Sequence, residues 1–214
     1  MATTTPIYGF DVPTSTDYVK DGATAIETLG DDVDAFLGTA FNSKLHPGLV
    51  LVKSQTISSG VSSVSVTDAF SATYDAYKIV LSGVSASSAV SLSMTIGGAA
   101  TNYYTSSTSG GDYTSATGTL TYSNQNAASS ATMNCIAGNG TSGTTGSTIE
   151  IQNPFAATST TFQMSGSDPR TTGAGLRYGA GYHSTATSYT SFQVIVSGPT
   201  LSGGRITVYG YAKD

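Results

Sequence analysis

The stretches Tyr77–Leu81 (YKIVL) and Val90–Ile96 (VSLSMTI) decide the reading of the fold, because apolar and polar residues alternate along both. A period of two places one set of side chains on a core and the other on solvent, the mark of a half-buried strand. The connecting SGVSASSA supplies Gly and Ser where a turn needs them. The same period extends outward in both directions: Leu49–Val52, Val61–Val66, Leu120–Tyr122, Thr148–Gln152 (TIEIQ), Thr161–Met164, Ser191–Ser197 and Arg205–Ala212. Eight to ten short strands with Gly/Ser turns predict a mainly β chain: an antiparallel β-sandwich, jelly-roll-like.

Upstream the material changes. Residues 17–42 carry apolar Val19, Ile26 and Val33 at heptad spacing, with Leu29 and Phe36 three positions after the last two. That pattern predicts a short helix with a seam for self-association. Ser15, Thr16 or Asp17 can cap it, and Leu37 and Phe41 widen its stripe. Gly22 and Gly30 each weaken a helix by about 1 kcal/mol relative to Ala, so it is marginal alone and gains from packing on copies of itself. Lying on its own β domain is the competing arrangement. Residues 1–16 hold Ile7, Tyr8, Phe10 and Val12 between Pro6 and Pro13, which suggests an extended arm docked on a larger protein or folded back on the chain. The expected organisation is an arm at 1–16, an oligomerising helix at 17–42, a linker at 43–53 and a sandwich at 54–214.

Composition narrows the function. Charged residues are 10% of the 214, less than half the usual share, so hydroxyls and amides must carry solubility. The net charge of −5 lies mostly in residues 1–53, and no basic cluster could neutralise a row of phosphates. Nucleic acid and anionic membrane surfaces are therefore disfavoured as partners. No run of about 18 apolar residues exists, so membrane insertion is not expected, and MATTTPIYGF lacks the features of a signal peptide. Synthesis in a cytoplasm is the expectation.

Catalytic and metal chemistry find few carriers. Cys135 stands alone, His46 and His183 are far apart, and no GxSxG elbow occurs. Carboxylates in the β half are sparse: Asp68, Asp75, Asp112, Glu150, Asp168 and Asp214. Gly138–Gly143 fits GxGxxG but precedes a strand instead of a helix, so it reads as a loop. No enzyme activity, cofactor or metal is expected.

Two long segments, 97–117 and 165–190, read as loops rich in tyrosine. Loops of that length are usually functional, and tyrosine offers a flat apolar face with a hydroxyl at low entropic cost. Tyr103, Tyr104, Asp112, Tyr113, Asp168, Arg170, Tyr178, Tyr182 and His183, with Asn102, are the candidate contacts to a surface polysaccharide. The same tyrosines also suit packing between subunits.

The opening Tyr8-Gly9-Phe10-Asp11…Pro13…Thr16-Asp17…Val19-Lys20-Asp21-Gly22-Ala23…Ile26…Leu29-Gly30 resembles the N-terminal segment of tailed-bacteriophage tail and fibre proteins. Phe70-Ser71…Tyr74-Asp75…Tyr77…Ile79-Val80-Leu81 and the close Gly204–Tyr211 resemble the β-sandwich module of such virion appendages. The resemblance covers the first 53 residues and the two ends of the β half. It implies a virion component, commonly a homotrimer, with the N-terminal arm bound to other virion proteins and the β module presented to a host glycan. A capsid-decoration or appendage protein with a purely structural role is the alternative. One departure stands out: β-branched residues at a with Leu at d favour dimers, so trimerisation rests on the resemblance.

Overall fold

The computed structural model describes residues 3–4, 9–12, 18–39, 48–88, 91–110, 122–133, 144–170 and 173–213. It divides into two compact units, residues 1–48 and 49–213.

In the first unit, β1 (Thr3–Thr4) pairs antiparallel with β2 (Asp11–Val12), and α1 spans Val19–Thr39. Along the helix, Ile26 is 65% exposed, Leu37 43% and Val33 36%, whereas Leu29 and Phe36 are half-buried. Phe36 is covered from within the unit: Phe10 meets it edge to face, with ring centroids 5.6 Å apart. Of the candidate docking residues, Phe10 thus has its ring against α1, as in the folded-back arrangement. The edge-to-face contact removes apolar area of both rings from water. Val12 sits in β2 opposite Thr3. Ile7, Tyr8, Phe41, the capping candidates and the segment 40–47 lie outside the described residues, and Val19 is placed only by its backbone.

The second unit is an antiparallel β-sandwich. Its strands are β3 (Leu49–Thr56), β4 (Ser63–Val66), β5 (Ala76–Ala86), β6 (Leu92–Ile96), β7 (Tyr103–Gly110), β8 (Tyr122–Ser130), β9 (Thr145–Gln152), β10 (Thr160–Arg170), β11 (Gly173–His183), β12 (Phe192–Val196) and β13 (Leu201–Tyr211). The eight-stranded sheet runs β3-β13-β5-β9-β10-β11-β7-β8, and the three-stranded sheet runs β4-β12-β6. The two pack face to face, as the sequence predicts. Alternation does the work: in β9 every second residue is buried, ending in Ile149 and Ile151, and β12 buries Phe192, Val194 and Val196. Tyr77, Ile79 and Leu81 of β5, the neighbour of β9 in the large sheet, join the same core, all at or below 1% exposure. The Tyr77 ring meets Phe70 edge to face at 4.9 Å, and its hydroxyl accepts from the Ser71 amide and donates to the Ser71 carbonyl.

Two boundaries differ from expectation. Lys53 was expected in a linker, but β3 starts at Leu49 and pairs through Thr56 with β13, so the sandwich begins before residue 54. The backbone partners of β13 outweigh the scarcity of apolar residues after Val52. The segments read as Tyr-rich loops are largely strands: β7 lies inside 97–117, and β10 and β11 fill most of 165–190. Past Tyr103 the inward positions are Thr105, Ser107, Gly175, Arg177, Gly179, Gly181 and His183, so the apolar half of the alternation is missing from the sequence. Gly181 is required at its place. A Cβ there would strike the Tyr104 carbonyl oxygen and the Phe162 ring, which lies across the glycine.

Candidate functional site

The strand register sorts the candidate residues by face. Tyr178, Ala180 and Tyr182 are alternate residues of β11 and share its outer face. Across β7 they stand opposite Thr108, Ser106 and Tyr104; across β10, opposite Ser165, Gln163 and Thr161. The next strand continues the rows, Ser165 pairing with Thr148 and Gln163 with Glu150. One outward surface therefore carries tyrosines, hydroxyls, the Gln163 amide and the Glu150 carboxylate.

The Tyr104 and Tyr182 rings stack with centroids 4.9 Å apart and planes within 7°. Tyr178 is 60% exposed and Tyr182 42%. On one side of Tyr178 is a depression of about 530 Å³ lined by Ser106, Thr148, Glu150, Gln163 and Ala180 among others. On the other is a depression of about 410 Å³ with Val80, Gly166, Ser167 and Leu176 in its lining. Thr148, Ser165 and Tyr178 line both, so Tyr178 stands between them.

Glu150 is the one charged side chain among the described lining residues of these depressions. Its Oε1 accepts from the Tyr211 hydroxyl at 2.9 Å and lies 4.0 Å from Lys78 Nζ. Burial, and then this bond to a carboxylate, hold the Tyr211 hydroxyl above its ordinary pKa. The carboxylate is thus compensated by neighbours on its own sheet.

Tyr103 and His183 do not belong to this surface, which corrects their reading as polysaccharide contacts. Odd and even residues of a strand face opposite ways, and these two face the core. Tyr103 is wholly buried, and His183 is 1% exposed. Tyr103 Oη accepts from the Ile96 amide at 2.8 Å and donates to the Ala99 carbonyl at 3.2 Å. Burial pushes its hydroxyl up to about 12, against a smaller opposing effect of the Ile96 amide. The His183 ring lies 4.5 Å from the Tyr103 ring. Its Nε2 is 3.1 Å from the Thr101 carbonyl, which can only accept, so Nε2 carries the proton and Nδ1 accepts from the Tyr189 hydroxyl at 3.3 Å. Burial lowers the His183 pKa, and hydrogen bonds to the Thr101 and Thr185 backbone partly oppose it. The imidazole is thus held in the core by its hydrogen bonds and ring contacts.

Asp168 and Arg170 lie on β10 at the register positions of Gly175 and Gly173, and only their backbone is described. Asp112, Tyr113, His46, Cys135 and the 138–143 loop lie outside the described residues. Asn102 donates to Thr185 Oγ1 at 3.1 Å, tying the start of β7 to the chain after β11. Sequence reasoning missed Glu150, Gln163, Thr148, Ser165 and Ser106. The parity of TIEIQ and TFQMS was a usable signal, since Ile149, Ile151, Phe162 and Met164 point inward and leave the others outward.

Among the described residues, no three His, Cys, Asp or Glu side chains come together to hold a metal ion, and no helix is long and apolar enough to cross a membrane. Comparison with known proteins finds no matching family model, no matching curated protein and no matching solved structure.

Proposed function

We propose that this chain is an attachment component of a tailed-bacteriophage virion, a homotrimer whose β unit contacts a host-surface glycan. The observation that carries the reading is the exposed apolar stripe of α1, with Ile26, Val33 and Leu37 all open to solvent. Such a stripe on an acidic helix gains most by meeting copies of itself, whose charged flanks stay wet. Trimerisation and placement on a particle come from the resemblance of residues 8–30 to phage tail and fibre proteins. Clustered tyrosine on a nearly uncharged sheet supports recognition of a hydroxylated surface, and the reading includes no catalytic step, cofactor or metal. Several weak sites on one trimer then act together through high effective concentration. Other virion proteins would be met through the N-terminal segment.

A second reading, a decoration or appendage protein with a purely structural role, draws on one observation. Leu49 and Leu51, at 45% and 59% exposure, lie on β3 at the open edge of the large sheet, where a neighbouring subunit could cover them. Immuno-gold electron microscopy of purified particles separates the two. Label at the tail end, with antibody against the β unit blocking adsorption to cells, is the expected result. Label spread over the head, without effect on adsorption, favours the structural role and overturns attachment.

A further inference from the structure

We infer that the outer face of β11, between Tyr178 and the Tyr104–Tyr182 pair, is a binding site for an uncharged oligosaccharide lying across Ala180. The inference deepens the attachment reading and rests on it for its biological setting.

The shape comes first. Tyr178 and Tyr182 are four residues apart on one strand, roughly 13 Å at the usual rise. Ala180 lies midway on the same face and lines the depression beside Tyr178, with Tyr182 beyond it as a second aromatic wall. The far wall is doubled by the parallel stack of Tyr104 on Tyr182. A pyranose ring has one face of C–H groups and a rim of hydroxyls. The ring faces of the tyrosines match the first, and Ser106 and Gln163, on either side of Ala180, match the second. The walls stand on paired strands of one sheet, so little ordering is needed on binding. The depression beyond Tyr178, floored by Thr148, Ser165 and Ser167, extends the trough past a single sugar unit.

The charge then selects the ligand. Glu150, the one charged side chain among the described lining residues, is engaged by Tyr211 and Lys78, so neither a polyanion nor a polycation finds a complement here. A peptide adding as a strand needs an open sheet edge, and β11 lies between β10 and β7. Nucleic acid needs cations for its phosphates. A neutral, hydroxyl-rich ligand with flat apolar faces is the class that fits.

Affinity electrophoresis of the intact protein through native gels tests this, with dextran, mannan, galactan or glucomannan cast in the gel and hyaluronate as the anionic comparison. At least one neutral polymer should retard the protein, and hyaluronate should not. Tyr178→Ala and Tyr182→Ala should each weaken that retardation about tenfold, as loss of one stacking platform implies. Gln193→Ala, on the three-stranded sheet, should leave it unchanged. Thermal melts of the exposed-tyrosine variants check folding. Undiminished retardation of both tyrosine variants overturns the site while leaving attachment intact. Retardation by hyaluronate alone, or by none of the polymers, overturns the ligand class even for a protein located at the tail end.

Discussion

Replacing Tyr103 by Phe removes one oxygen from the middle of the core and separates a structural tyrosine from a surface one. That oxygen accepts from the Ile96 amide and donates to the Ala99 carbonyl, at a residue with no solvent exposure. The ring stays, so the packing with His183 is kept and no large cavity forms. Two hydrogen bonds of about 1 kcal/mol net each are lost, and the Ile96 N–H left buried without its partner raises the cost toward about 3 kcal/mol. The sum, allowing for relaxation, is about 2–3 kcal/mol. For a unit of this size that lowers the melting temperature by roughly 4–12 °C. Urea unfolding followed by circular dichroism reads the difference, with Tyr104→Phe as the comparison, since that hydroxyl lies on the outer face. A Tyr103→Phe loss below about 0.5 kcal/mol, or one equal to that of Tyr104→Phe, would refute the placement of Tyr103 in the core.

The lowered pKa of His183 ties stability to pH. The unfolded chain takes up a proton near pH 6.5 that the buried ring resists, so stability is full above that value and falls as pH drops through the window between the unfolded and folded pKa values. Urea midpoints between pH 7 and 5 should show this slope in the parent and lose it in His183→Gln; equal slopes would place the ring in solvent. Gly181→Ala drives a methyl against the Tyr104 carbonyl and the Phe162 ring, and should destabilise by about 1–3 kcal/mol or more. A neutral result in the same assay would mean that β7 and β10 yield at that point.

How much of this was legible beforehand follows from which residues fill the inward positions. In β5 and β12 these are Tyr77, Ile79, Leu81 and Phe192, Val194, Val196, and the alternation could be read directly. In β7 and β11 they are, after Tyr103, Thr105, Ser107, Arg177, Gly179, Gly181 and His183, so hydropathy shows no period and the strands pass for loops. Tyrosine was the right signal in the wrong setting. Tyr104, Tyr178 and Tyr182 do gather on one surface, but sheet parity gathers them, and the same parity sends Tyr103 and His183 inward. Glu150 was legible only as a sparse acid. Its compensation by Tyr211 and Lys78 depends on β13 and β5 lying beside β9 and beyond, a long-range pairing no local pattern reveals. The helix was readable to within a few residues at each end. The fold-back of Phe10 onto Phe36 depended on a contact between segments the heptad pattern does not connect.

Sedimentation equilibrium of the intact protein, alongside an Ile26→Asp, Val33→Asp double variant, tests the central claim most directly. Three chains should associate at micromolar concentration and fall to monomers in the variant, with the β unit still folded by circular dichroism. A parent that sediments as a single chain across that range would contradict the claim that the exposed stripe of α1 draws identical chains together.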